Sequence, residues 1–101
     1  MEHLRIWRYR VEDAQRTEFI RHYSAEGSWV QMFRQSAGYL GTRLWQDTVD
    51  ANVFYTLDRW RREEDFALFQ QIHSQAYREM DKQLEGLTAE ETFLGACNEI
   101  A

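Results

Sequence analysis

His73 stands four residues after Phe69 and four before Tyr77, a spacing that places the three side chains on one face of a helix. An imidazole there could take a phenolic proton as a general base near neutral pH, and it could equally be a histidine at the edge of a core with one satisfied hydrogen bond. Tyr77 and Tyr55 could each position a substrate oxygen, or pack as ordinary tyrosines with a polar tip. Arg43, two residues from Trp45, could stabilise a phenolate or enolate, or pair with an acid across an interface. Phe69 joins them as lining. Four Trp, five Tyr and six Phe are spread over 101 residues, and at roughly 150–250 Å² of burial each they exceed what one small core encloses. The surplus is expected to line a pocket or an interface.

Other chemistries find no carrier. GxSxG, P-loop and HExxH patterns are absent, and His3, His22 and His73 are too scattered to suggest a metal site. His22 and Glu18, four residues apart on a helix, are expected as an exposed pair. Cys97 alone permits no intramolecular disulfide and no thiolate cluster, and it is expected as a small buried hydrophobe in the last strand. A net charge of −5 argues against a nucleic-acid surface. No apolar run approaches the roughly 18 residues of a membrane span, and MEHLRIWRYR lacks the uninterrupted apolar stretch of a signal peptide. The sequence reads as one cytoplasmic domain over residues 1–101, with no nucleic-acid and no membrane partner. Its basic residues are eleven Arg and the single Lys82, a choice suited to contacts with rings and carboxylates.

Patterning supplies the elements. LRIWRYRV over 4–11 alternates as a strand, with apolar groups on both parities. Glu12 and Asp13 can open a helix that runs to about Ser24 and gathers Phe19, Ile20 and Tyr23 into a stripe. Gly27 breaks it, a second helical piece follows over 28–37 with Trp29, Met32 and Phe33 together, and Gly38 is placed to end it. YLGTRLWQD and VFYTLDRW read as a strand pair joined through TVDAN. The run from Arg62 to Leu84 is the clearest helix, with three acids in its first turn and Gly86 after its end. ETFLGACNEI suits a last strand, although Glu90 and Glu91 could prolong a helical turn. Strand, helix, strand, strand, helix, strand is the ferredoxin-like α+β order, βαββαβ, a four-stranded antiparallel sheet with helices on one face.

Two helical layers cover only one side of such a sheet. Alternation predicts Leu40, Thr42 and Leu44 toward the helices, leaving Tyr39, Arg43, Trp45, Trp7 and Tyr9 outward. An aromatic patch of that size implies a homodimer formed by two sheets face to face. Phe19, Tyr23, Phe33 and Phe66 are assigned to the core.

The stretch FIRHYSAEGSWVQMFRQSAGYLGTRLW, followed by FYTLDRWRREEDFALF and QAYREMD, resembles the antibiotic biosynthesis monooxygenase domains of the dimeric α+β barrel superfamily. Gly38-Tyr39-Leu40-Gly41-Thr42 and the step from Asp58 to Trp60 carry most of the likeness. The resemblance implies a protomer that dimerises through its sheet. It also implies an apolar pocket between sheet and helices, in which a small phenolic molecule of polyketide or quinone type is oxidised by dioxygen with no metal or flavin. Trp60 fits the family pattern as a site residue, or as a structural wedge at the strand-to-helix turn. With it, His73 and Tyr77 form the expected catalytic set, and Tyr55, Phe69 and Arg43 the expected substrate contacts. No cofactor and no metal is expected. A haem-degrading branch of the family uses an Asn in the first strand and a Trp and a His on the long helix; this chain has Trp7 and Arg8, Phe69 and Glu79 at those places, so haem degradation is not expected. A dimeric module that binds a ligand without turnover remains the alternative.

Overall fold

The computed structural model describes residues 1–100, and its chain order is β1 (His3–Arg10), a 3-10 turn (Asp13–Gln15), α1 (Arg16–Tyr23), α2 (Ser28–Phe33), β2 (Tyr39–Gln46), β3 (Val53–Trp60), α3 (Glu63–Leu84), a 3-10 turn (Glu85–Leu87) and β4 (Glu90–Asn98). The strands form one antiparallel sheet in the order β2-β3-β1-β4. This is the ferredoxin-like α+β arrangement that the sequence predicts. Its helix starts later than Asp13, because the first turn is 3-10, and Glu90 and Glu91 belong to the last strand.

All helices lie on one face, held by rings. Phe19 of α1 packs on Tyr9 and Phe54 at 5.3 and 5.1 Å between centroids. Trp60 of β3 meets Phe33 of α2 at 5.6 Å and Phe66 and Phe69 of α3 at 5.3 and 5.5 Å. Three acids, Glu63, Glu64 and Asp65, occupy the first turn of α3, where the helix dipole favours them. The helix bends at His73, whose backbone angles (φ −111°, ψ 20°) leave the helical range. Phe66 and Phe69 lie on one side of that bend and Tyr77, Met80 and Leu84 on the other. No Pro or Gly accounts for it.

The side-chain parity departs from expectation in two strands. In β1, His3 and Tyr9 are buried on the helix side together with Trp7, so Leu4, Ile6 and Arg8 point outward instead. In β2 the pairing slips between Tyr39 and Gly41, which face Trp60 and Arg59 in turn. Leu40 is the extra residue of this bulge and is 47% exposed. Tyr39 therefore turns inward to pack on Phe33 and Trp60, while Thr42 and Leu44 keep the inward orientation expected of them. Gly41 adopts φ 145°, which a side chain would strain. Cys97 is exposed rather than buried, because β4 is an edge strand whose outer parity has no cover. His22 does approach Glu18, at 3.6 Å, but is itself only partly exposed and bonds Ser28 Oγ through Nδ1 at 2.6 Å.

Among the described residues, no helix is long and apolar enough to cross a membrane. Trp60 is fully buried at the meeting point of α2, α3 and β3. Trp60→Ala should cost about 3–5 kcal/mol of stability, the range for emptying a packed aromatic site, as read by urea denaturation followed by circular dichroism.

Candidate functional site

Between sheet and helices lies a cavity of about 210 Å³. Its floor is Trp7 and Tyr9 of β1, Thr42 of β2, Thr56 and Asp58 of β3 and Glu91 of β4; its roof is Tyr23, Trp29 and Phe33 from α1 and α2 and Tyr77 and Asp81 from α3. The roof explains the break at Gly27. A Cβ on that residue would sit 2.3 Å from the His22 carbonyl oxygen, so only glycine lets α2 fold back tightly enough to bring Trp29 beside Tyr23 and Tyr77, at 6.2 and 5.0 Å.

One carboxylate dominates the floor. Asp58 is 8% exposed and accepts a hydrogen bond on Oδ1 from Thr42 Oγ1 at 2.7 Å, and Thr42 in turn lies 2.6 Å from the Tyr39 hydroxyl. With Thr42 Oγ1 donating to the acid, the Tyr39 hydroxyl is the donor to Thr42, which gives a directed chain Tyr39–Thr42–Asp58. Burial pushes the Asp58 carboxyl up to about 6, against the opposing pull of the Thr42 bond and the Arg5 charge. Tyr39 and Tyr77 are each pushed up to about 12, chiefly by burial, so both keep their protons at neutral pH and can donate. Burial likewise raises Tyr9 and Tyr23. Glu91 is raised by burial too, with the neighbouring Asp81 charge adding to it, while the Thr88 and Tyr23 hydroxyls donate to its Oε1 at 3.1 and 3.4 Å.

Of the residues expected from sequence, Tyr77 lines this cavity. Trp60 and Phe69 stand one layer behind it: Trp60 backs Phe33 and Tyr39, and Phe69 backs Phe33 and Tyr77 at 5.1 and 6.4 Å. His73 sits at the bend of α3 with its ring 5.2 Å from Phe69, outside the lining. Tyr55 and Arg43 lie on the opposite face of the sheet, where Tyr55 donates to Asp47 at 2.9 Å. Asp58, Thr42 and Trp29 were not among the expected site residues. A signal for Asp58 was present: it is the lone acid on the inward parity Phe54, Thr56, Asp58, Trp60 of an otherwise apolar strand. A second hollow of about 360 Å³ beside Leu40 and Gly41 is larger, but its Arg34 and Arg59 are already paired with Glu26 and Glu2. No group of three or more His, Cys, Asp or Glu among the described residues is placed to hold a metal ion.

Raising the Asp58 pKa has a consequence for stability. Its ordinary value is 3.8, so the folded protein holds this proton more tightly than the unfolded chain does. That contribution is intact below about pH 4 and is lost as pH rises through about 6. Asp58→Asn should keep the Thr42 bond and be more stable than the parent at pH 8 by up to about 3 kcal/mol. The difference should vanish near pH 3.5, and urea midpoints at the two pH values measure it.

No family model and no curated protein sequence matches the chain. Solved structures do. A protein from Pseudomonas aeruginosa superposes with a TM-score of 0.72 at 19% identity, over 99% of this chain and 95% of that one. SnoaB, a cofactor-independent oxygenase from Streptomyces nogalater, gives 0.68 at 14%, over 99% and 94%. A Deinococcus radiodurans protein assigned to the antibiotic biosynthesis monooxygenases gives 0.75 at 11%, over 98% and 93%. At these identities the likeness is one of fold. Over nearly its whole length, the chain has the architecture of the solved antibiotic biosynthesis monooxygenase structures.

Proposed function

We propose that the protein oxidises a small hydroxylated aromatic molecule with dioxygen in the cavity above Asp58, without metal or flavin. The observation that carries this reading is a buried carboxylate in a ring-lined space, with a pKa near the working pH of a general base. The fold likeness to a cofactor-independent oxygenase supports it. Asp58 removes a proton from the substrate, and Tyr77 donates to the oxygen that becomes negative. Trp60 and Phe69 hold Phe33 and Tyr77 in place, and His73 acts from the bend of α3 on the position of Tyr77. The electron-rich anion then reduces dioxygen: a ring CH₂ becomes C=O and the second oxygen atom leaves as water, so four electrons from the substrate match four taken by O₂. The protein supplies position, a base and exclusion of water.

Two magnitudes narrow the substrate. An ordinary phenol, with a pKa near 10, would lose its proton to a base near 6 at a cost of about 5 kcal/mol. The substrate is therefore a more acidic one, its hydroxyl or CH₂ activated by a neighbouring carbonyl. The cavity volume of about 210 Å³ lies between the roughly 150 Å³ that holds benzene and the roughly 300–1,000 Å³ of drug-sized sites. It takes one or two rings.

The acting species is a homodimer. On the uncovered sheet face, the registers set Ile6 beside Leu57 and Leu57 beside Arg43, then Arg8 beside Tyr55 and Tyr55 beside Trp45, which is 52% exposed. Leu4 and Leu40 extend this patch, and it is the face that a second copy would cover.

Oxygen uptake with hydroxynaphthalenones, whose ring CH₂ lies beside a carbonyl, tests the activity. Asp58→Asn should lower the rate at least about 100-fold, the scale of a lost general base, and Tyr77→Phe about tenfold. Ligand binding without any oxygen uptake would leave the non-catalytic binding module. Light scattering should give twice the 12.2 kDa of one chain, and Ile6→Arg should return the monomer; a monomeric parent at 50 µM refutes the dimer.

A further inference from the structure

The charge of the cavity sets what can enter it. Of its eleven lining residues six carry rings and three carry carboxylates, Asp58, Asp81 and Glu91, and none is Arg, Lys or His. Arg5 is the cation whose charge reaches Asp58 and Tyr77. It is held over the Phe66 ring at 3.8 Å and the Phe93 ring at 4.6 Å, outside the lining. Asp58 is more than nine-tenths buried and its one hydrogen bond is made at Oδ1, so the other oxygen is left for an occupant. Glu91 is fixed by the Tyr23 and Thr88 hydroxyls, and Asp81 lies close enough to act on its charge. An anion entering this space would meet three carboxylates and no cation of the lining, Arg5 being turned to Asp58, its partner across the strands, and to the Phe66 and Phe93 rings. A cation would meet the carboxylates and the electron-rich faces of Trp7, Tyr23, Trp29 and Tyr77.

The reaction sharpens this. When Asp58 takes a proton, negative charge passes to the ring of the substrate, and the lining has no cation to offset it. A substrate that carries its own ammonium supplies the missing charge. We propose that the cavity selects a one- or two-ring hydroxylated aromatic amine, its ring among Trp7, Tyr23, Trp29 and Tyr77 and its protonated nitrogen at Glu91 and Asp81. This rests on reading the cavity as the oxidation site, and binding can be tested apart from turnover.

Three phenols of similar size serve as probes: tyramine, a cation; 4-ethylphenol, neutral; and 3-(4-hydroxyphenyl)propionate, an anion. Binding is followed under nitrogen by the fluorescence of the intact protein, since Trp7 and Trp29 line the site. Tyramine should bind about tenfold more tightly than 4-ethylphenol, a ratio in line with cation–π and carboxylate contacts, and the anion more weakly still. The double variant Glu91→Gln, Asp81→Asn should remove most of the tyramine advantage and leave 4-ethylphenol within about twofold. Both residues keep part of their surface in solvent and the amides preserve their shape, so the fold should survive, and circular dichroism checks it. An anion that binds as tightly as tyramine, a double variant that keeps the preference, or no binding of any probe each overturns the proposal. The expected binding order, with no oxygen uptake from any carbonyl-activated hydroxynaphthalenone in air, would overturn the oxidase reading alone, and uptake from those substrates with a reversed binding order would overturn only this one.

Discussion

Asp58 is a charge-bearing group in the middle of a sheet face otherwise built to exclude water, and one hydroxyl, Thr42, meets it with a hydrogen bond. Much of the surrounding structure answers to that placement. Thr42 stands directly opposite it in the pairing of β2 with β3, and the bulge at Leu40 turns Tyr39 to the same side, where it completes the chain of hydroxyls behind Thr42. The rings of α1, α2 and α3 keep bulk water from solvating the carboxylate, which is why its proton is held to near-neutral pH. A protein selected for stability alone would place an amide or a methyl group here. Carrying an ionised carboxylate at this depth destabilises the fold, and sites of chemistry are where such destabilisation is kept.

The architecture was legible in the chain because each element announces itself locally. Val53–Trp60 is dense in β-branched and aromatic residues, and Arg62–Leu84 repeats apolar groups every three or four positions beneath an acidic first turn. The site was less legible. Strict alternation pointed Tyr39 outward and Leu40 inward, and a single extra residue in β2 reverses both; no local rule applied to YLGTR forces that slip. In β1 both parities are apolar, so alternation could not say which face was covered, and Trp7 and Tyr9 proved to be floor of the cavity rather than outer surface. Histidine at the correct helical spacing drew the catalytic expectation to His73. The backbone bend at that residue and the depth of Asp58 are tertiary facts that residue type and spacing do not encode.

The rings outside the packed core divide between the cavity and the uncovered face of the sheet. Tyr9, Tyr23, Trp29, Phe33, Tyr77 and Trp7 border the cavity, whereas Trp45 and Tyr55 remain on the uncovered face. Trp60 and Phe69 serve neither directly: they are the packed layer that fixes Phe33 and Tyr77. Position in this second layer matters because the lining rings are large and a small shift in the layer behind them changes the volume in front.

The two β-bulges share a location that bears on assembly. One lies in β2 at Leu40 and the other in β4, where the register slips opposite Ile6 and Trp7 and Leu94 is the additional residue. β2 and β4 are the two outermost strands of the sheet, the ones with backbone amides and carbonyls free to recruit another strand. A kinked, overtwisted rim is a poor template for such recruitment. Such a rim works against open-ended strand-by-strand growth of this chain into fibrils.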